Sequence, residues 1–176
     1  MNPESFKMLE SFSKEELIKL VEDMAKRWLA HDGVWFQCFE FKSGMEEAME
    51  MDALAWERFA VIEANRVMKL HNILPGGGIP ALKKALKLRA CDFLNESEII
   101  DAGDNKMIYR IKTCRVQASR NRKNMQPFPC KSVGIKEFSN FAKTIDPNIQ
   151  TRCVTCPPDE QPEGYICAWE FTYVKE

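Results

Sequence analysis

Apolar residues recur at three- and four-residue spacing from residue 14 onward: Leu17, Leu20, Val21, Met24 and Trp28 follow Ser13, and Glu16 completes a capping box with that serine. The spacing predicts a first helix over 14–31, ended by Gly33. The next stretch, VWFQCFEF, is aromatic and short, which predicts a buried connector or strand up to Ser43-Gly44. Residues 45–71 hold the longest helical period, closed by Leu74-Pro75 and three glycines, and a third helix is expected over 80–95.

After Asn95 the period changes to alternation. Strands are expected at 97–102 and 106–118, joined around Gly103-Asp104-Asn105 and with a bulge near Thr113. A helical stripe of Ile135, Phe138, Ala142 and Ile145 stops at Asp146-Pro147, and two strands at 149–155 and 165–174 complete the pattern. Three helices followed by strand, strand, helix, strand, strand predict an α+β fold: an antiparallel sheet with helices packed on one face. One domain is expected over 1–176, with a helical part at 1–95 and a sheet part at 96–176.

Two helices carry charges where the pattern calls for apolar side chains. On the long helix, a 100° step per residue gathers Met45, Met49, Trp56, Phe59, Ala60, Val67 and Leu70 on one arc, with Asp52 and Glu63 in its middle. Arg89 interrupts the stripe of Leu82, Leu86 and Phe93. A carboxylate or guanidinium facing a core is costly unless paired, so Arg89 is expected to pair with Asp52 or Glu63. The functional form of this expectation makes Asp52, Glu63 and Arg89 the wall of a ligand pocket. Eleven residues separate the two acids, roughly 16 Å along a helix, so they cannot share one metal ion.

Composition narrows the chemistry. No apolar run approaches the length of a membrane span, and the N-terminal stretch has acids from Glu4 onward rather than a basic flank beside an apolar one, so a cytoplasmic protein without a membrane partner is expected. In a reducing compartment seven cysteines read as buried thiols, metal ligands or redox groups. Net charge is −1, but residues 106–152 hold 11 Lys and Arg against two acids. The basic middle as a whole is expected to meet the chain's own acidic part, and its run RVQASRNRK, which lacks interleaved aromatics for base stacking, reads as an anion-binding edge or a solvated strand end rather than a nucleic-acid contact.

The cysteines form the sharpest pattern. Cys153 and Cys156 stand at C-x-x-C spacing before Pro157-Pro158. If the last two strands pair about a turn near Glu160, Cys153 faces Cys167. Cys130 precedes the helix expected to start near Ser132, where the helix dipole favours a thiolate. Cys130, Cys153, Cys156 and Cys167 would thus form a metal site, most simply for zinc, with an iron–sulfur cluster equally suited to four thiolates. Buried thiols or redox chemistry are the competing readings, Cys114 could join from a neighbouring strand, and Cys38 and Cys91 read as core. His31 and His71 read as carbonyl caps at helix ends.

The segment PFPCKSVGIKEFSNFAKTIDPNIQTRCVTCPPDEQPEGYICAWEF, with WFQCFEF and the long helix carrying Asp52 and Trp56, resembles a family of small, functionally uncharacterised prokaryotic cytosolic proteins. The last half, chiefly Cys167-Ala168-Trp169-Glu170-Phe171, is more distantly similar to the L-2-amino-thiazoline-4-carboxylic acid hydrolase-like family and loosely to 4-vinyl reductase-type domains. The hydrolase likeness implies opening of a small sulfur-containing heterocycle by water; the reductase likeness implies a small-molecule pocket beside the sheet. Three functions are therefore expected to compete: a small-molecule-binding metalloprotein, a hydrolase of a sulfur- or nitrogen-containing heterocycle, and a structural zinc module docking a partner.

Overall fold

The computed structural model of the chain describes residues 2–175. Helices α1 (Pro3–Glu10), α2 (Lys14–Ser43), α3 (Met45–His71) and α4 (Gly78–Leu86) precede strands β1 (Glu96–Asp101) and β2 (Lys106–Thr113). Helices α5 (Arg115–Arg122) and α6 (Lys131–Ile145) then lead to β3 (Ile149–Thr155) and β4 (Cys167–Tyr173). The four strands form one antiparallel sheet in the order β1-β2-β4-β3, and helices pack against it: the expected α+β fold. No described helix is long and apolar enough to cross a membrane.

The start of α2 is as expected, with the Glu16 N–H donating to Ser13 Oγ at 3.2 Å and the Ser13 N–H to Glu16 Oε2 at 2.8 Å. Its end is not. The helix runs through Gly33 and takes in the whole of VWFQCFEF, so neither a connector nor a strand exists there, and His31 sits inside the helix rather than at its end. Gly33 keeps a right-handed backbone and no proline follows it, so it costs only propensity. Tertiary contacts repay that cost: the Phe36 ring meets Phe128 edge to face at 4.8 Å, and Glu40 forms a bidentate pair with Arg120 at 2.6 and 2.7 Å.

The third helix also differs, ending at Leu86 instead of 95. The chain continues in tight turns, Arg89 N–H donating to Leu86 O and Asp92 N–H to Arg89 O, which lets Arg89 drop into the interior while Phe93 stays exposed. A register shift between Glu96 and Ser97, which face Thr113 and Ile111, places the irregularity near Thr113 as expected, but the second strand stops at Thr113 and the basic run beyond it becomes helix α5. Arg120, on that helix, is buried against Glu40, so part of the basic stretch does meet the chain's own acids.

One core unites the helical and sheet parts. Ala60, Ala64 and Val67 of α3 and Leu82 and Leu86 of α4 join Phe138, Phe141 and Ile145 of α6 and the inward residues of the sheet, including Met107, Tyr109 and Phe171. Helix α6 lies on the sheet, and at Gly134 a Cβ would stand 2.5 Å from the Trp169 ring. The indole of Trp169 is 1% exposed and also stacks on Phe138 at 4.7 Å, so it has nowhere to retreat. Substituting Gly134→Ala should destabilise the fold by about 1–3 kcal/mol despite the better helix propensity of alanine, measurable as a lower urea midpoint. A neutral or stabilising result would show that the α6–sheet spacing is softer than described.

Candidate functional site

Between α2 and α3 on one side and α6 with the ends of β2 and β4 on the other lies a cavity of about 330 Å³. Six aromatic residues line it: Trp28, Phe36, Trp56, Phe128, Phe138 and Trp169. Trp28 and Trp56 are held in place by Phe59, stacked on Trp28 at 5.5 Å and edge to Trp56 at 5.4 Å. The Trp169 indole N–H has no hydrogen-bond partner among the described residues.

Three carboxylates, Asp32, Asp52 and Glu137, border the cavity. Burial raises the pKa of Asp52 from an ordinary 3.8 to about 7, and the nearby charges of Asp32 and Glu137 push the same way, with only the Trp56 hydrogen bond opposing. Asp32 and Glu137 are themselves raised by burial; the Arg89 charge pulls Glu137 back. The cavity therefore holds a carboxyl group that can give or take a proton near neutrality.

Of the three expected pocket residues, only Asp52 lines this cavity. Arg89, 1% exposed, chose Glu63 as its partner, donating from Nε to Glu63 Oε2 at 2.8 Å. Its Nη2 lies 2.8 Å from the same oxygen and 2.7 Å from Glu137 Oε1. Those two contacts lack hydrogen-bond angles, so this part of the triad is held by charge. The guanidinium carbon also sits 4.6 Å from the ring centre of Phe141 and 5.4 Å from that of Phe138. Arg89 and Glu63 thus act behind the cavity wall, and Glu137 connects them to it. Glu137 and Asp32 escaped the sequence reading; the available signal for Glu137 was an acid one residue before Phe138 in a stretch with only two acids.

The cysteines converge, but in a different set. Cys91, Cys114, Cys130, Cys156 and Cys167 line the cavity and Cys153 does not. The expected Cys153–Cys167 pairing does not occur: Cys153 faces Trp169, and Cys167 faces Ile111 of β2. A register shift between Cys153 and Thr155 and a long excursion between the strands replace the symmetric turn assumed near Glu160. Cys38 is exposed, not core, because it lies on the extended α2.

The sulfurs of Cys130 and Cys156 lie 3.6 Å apart. Cys130 is the N-cap of α6, and Gln117 Nε2 approaches its sulfur at 3.8 Å. The hydrogen bond with Cys156 holds the Cys130 thiol below its ordinary pKa, outweighing burial. Cys156 is correspondingly pushed up by its hydrogen bonds with Cys130 and Cys167 and by burial. Burial lifts Cys114 to about 11 and Cys91 to about 12, leaving both inert as nucleophiles at neutral pH. Burial raises Cys153 as well. Among the described residues no group of three or more His, Cys, Asp or Glu side chains is arranged to hold a metal ion.

Fold and site together define an α+β protein with an aromatic cavity whose wall also carries thiols and carboxylates. Residues 10–173 match the model of a family of unknown function, DUF6125, and the chain belongs to that family. No curated protein matches the chain.

Proposed function

We propose that this is a small-molecule-binding protein whose ligand occupies the cavity between α2, α3, α6 and the sheet. The observation that carries this reading is the lining: flat aromatic surfaces, one unpartnered indole N–H and one carboxyl poised near neutrality around about 330 Å³, a combination that suits a compact, largely apolar molecule with a few polar atoms. Lys26, Arg115, Arg122 and Lys123 also belong to the lining, which favours a ligand bearing an acid group. A thermal-shift screen of small organic acids, thiols and sulfur heterocycles tests the reading. Hits should raise the melting temperature of the native chain and lose that effect in Ser119→Phe, which places a ring in the cavity from α5. Hits that stabilise both proteins equally would bind elsewhere.

A second reading, hydrolysis of a small sulfur- or nitrogen-containing heterocycle, is favoured by Asp52, whose carboxyl could serve as general base toward water in this aromatic-lined cavity. Ring opening of such a heterocycle should then follow a pH profile with a limb near 7 and fall by about a hundred-fold or more in Asp52→Asn.

A further inference from the structure

Five of the seven cysteines face one cavity, and the sulfurs of Cys130 and Cys156 stand 3.6 Å apart. Their surroundings differ in a way that assigns roles. Cys130 is partly exposed, stands at the N-cap of a 15-residue helix and accepts from Gln117 Nε2 at 3.8 Å. Cys156 is 2% exposed and lies behind it. The backbones that carry them are tied together independently of the sulfurs. Lys131 N–H donates to Pro157 O at 2.9 Å, and Lys131 Nζ bonds both Asp159 oxygens at 2.7 and 2.9 Å. Closing 3.6 Å to a disulfide of about 2.05 Å therefore asks for side-chain rotation within a fixed frame.

We propose that Cys130 and Cys156 are a dithiol pair that reduces a small organic disulfide bound in the cavity, with Cys130 attacking and Cys156 resolving. The proposal rests on the cavity being a ligand site and adds the class of ligand and the reaction. The Cys130 thiolate, having given its proton to solvent, attacks one sulfur of R–S–S–R′; the S–S bond breaks and R′S⁻ leaves and takes up a proton. Cys156 then loses its proton as its sulfur attacks Cys130 in the mixed disulfide, and RS⁻ leaves and is protonated. The substrate disulfide is reduced to RSH and R′SH while the two cysteines are oxidised to one disulfide. Cys167, hydrogen-bonded to Cys156, and the burial of Cys156 itself keep the resolving thiol in a water-poor setting.

The test uses the full chain, reduced and free of reductant, exposed anaerobically to bis(2-hydroxyethyl) disulfide, alkylated and mapped by mass spectrometry. The expected result is a Cys130–Cys156 link with release of two small thiols per chain, and accumulation of the hydroxyethylthio adduct on Cys130 in both Cys156→Ser and Cys156→Ala. Cys130→Ser should react at least about ten-fold more slowly than the native chain. Oxidation confined to the exposed Cys38, or no adduct on Cys130 in either Cys156 variant, would overturn the redox pair. Stoichiometric zinc or iron in the purified chain, lost in Cys130→Ser, would overturn it in favour of a metal site. Ser119→Phe separates the two layers of the claim. A slowed reaction there supports reduction inside the cavity. An unchanged rate, with the Cys130–Cys156 link still forming, would overturn the cavity as its location.

Discussion

Replacing Arg89 by methionine should lower the unfolding free energy by about 3–5 kcal/mol, the largest effect expected of any single substitution outside the aromatic core. The guanidinium is the shared cation for Glu63 and Glu137, both nearly buried, and its loss strands two carboxylates inside the protein. Removing the charges together should be far milder: Arg89→Met combined with Glu63→Leu and Glu137→Met should recover most of the loss, because desolvation of three ions is abolished along with their attraction. Urea unfolding of the single and triple variants measures both numbers. A single variant within 1 kcal/mol of the native chain would mean that water reaches this triad, contrary to its burial.

The second large effect is a dependence on pH. The folded-state pKa of Asp52 is raised to about 7 from an ordinary 3.8, so between those values the folded chain binds a proton that the unfolded chain has released. Stability must then fall as pH rises through that window, and the full cost of the ionised carboxylate is present above it. At about 1.4 kcal/mol per pH unit the upper bound is about 4 kcal/mol, and partial solvent access at Asp52 reduces the expected figure to about 2 kcal/mol. Asp52→Asn should therefore be about 2 kcal/mol more stable than the native chain at pH 8 and nearly equal to it at pH 4. Asp32 and Glu137, raised in the same direction, will leave a residual slope in the variant. A gain that is independent of pH would show that the asparagine acts through packing instead of charge.

These expectations also mark what could be read from the sequence. Helix and strand periods suffice for the α+β order and for both strand pairs, because those patterns are local and strongly periodic. The capping box at Ser13 and Glu16 is local too, and it forms as written. Three features escaped because long-range contacts decide them. The continuation of α2 past Gly33 depends on Phe128 and Arg120, some 80 residues or more away in sequence. The basic run became α5 because Arg120 found Glu40, a partner no spacing rule relates to it. The β3–β4 register lies two positions from the expected one at Cys153 because the long excursion from Thr155 to Cys167 is not the symmetric turn that a simple alternation assumes.

That register shift altered the site more than the fold. Cys130, Cys156 and Cys167 converge as the sequence suggested, but Cys153 leaves the group and Cys114, from the end of β2, enters it. The charged positions on apolar faces were legible as anomalies and separated into two roles once distances were known: Arg89 with Glu63 supports the interior, while Asp52 faces the cavity. The cavity itself was not legible, since it arises where the unforeseen half of α2 passes over α6 and the sheet.

The cavity as a ligand site is tested most directly by fluorescence titration of Trp35→Phe. Four tryptophans are present, and all but the exposed Trp35 line the cavity. In this variant every indole reports on the cavity wall, so a hit from the thermal-shift screen should give saturable quenching that disappears when Ser119→Phe is added. Stoichiometric binding that leaves the emission of Trp35→Phe unchanged would contradict the account.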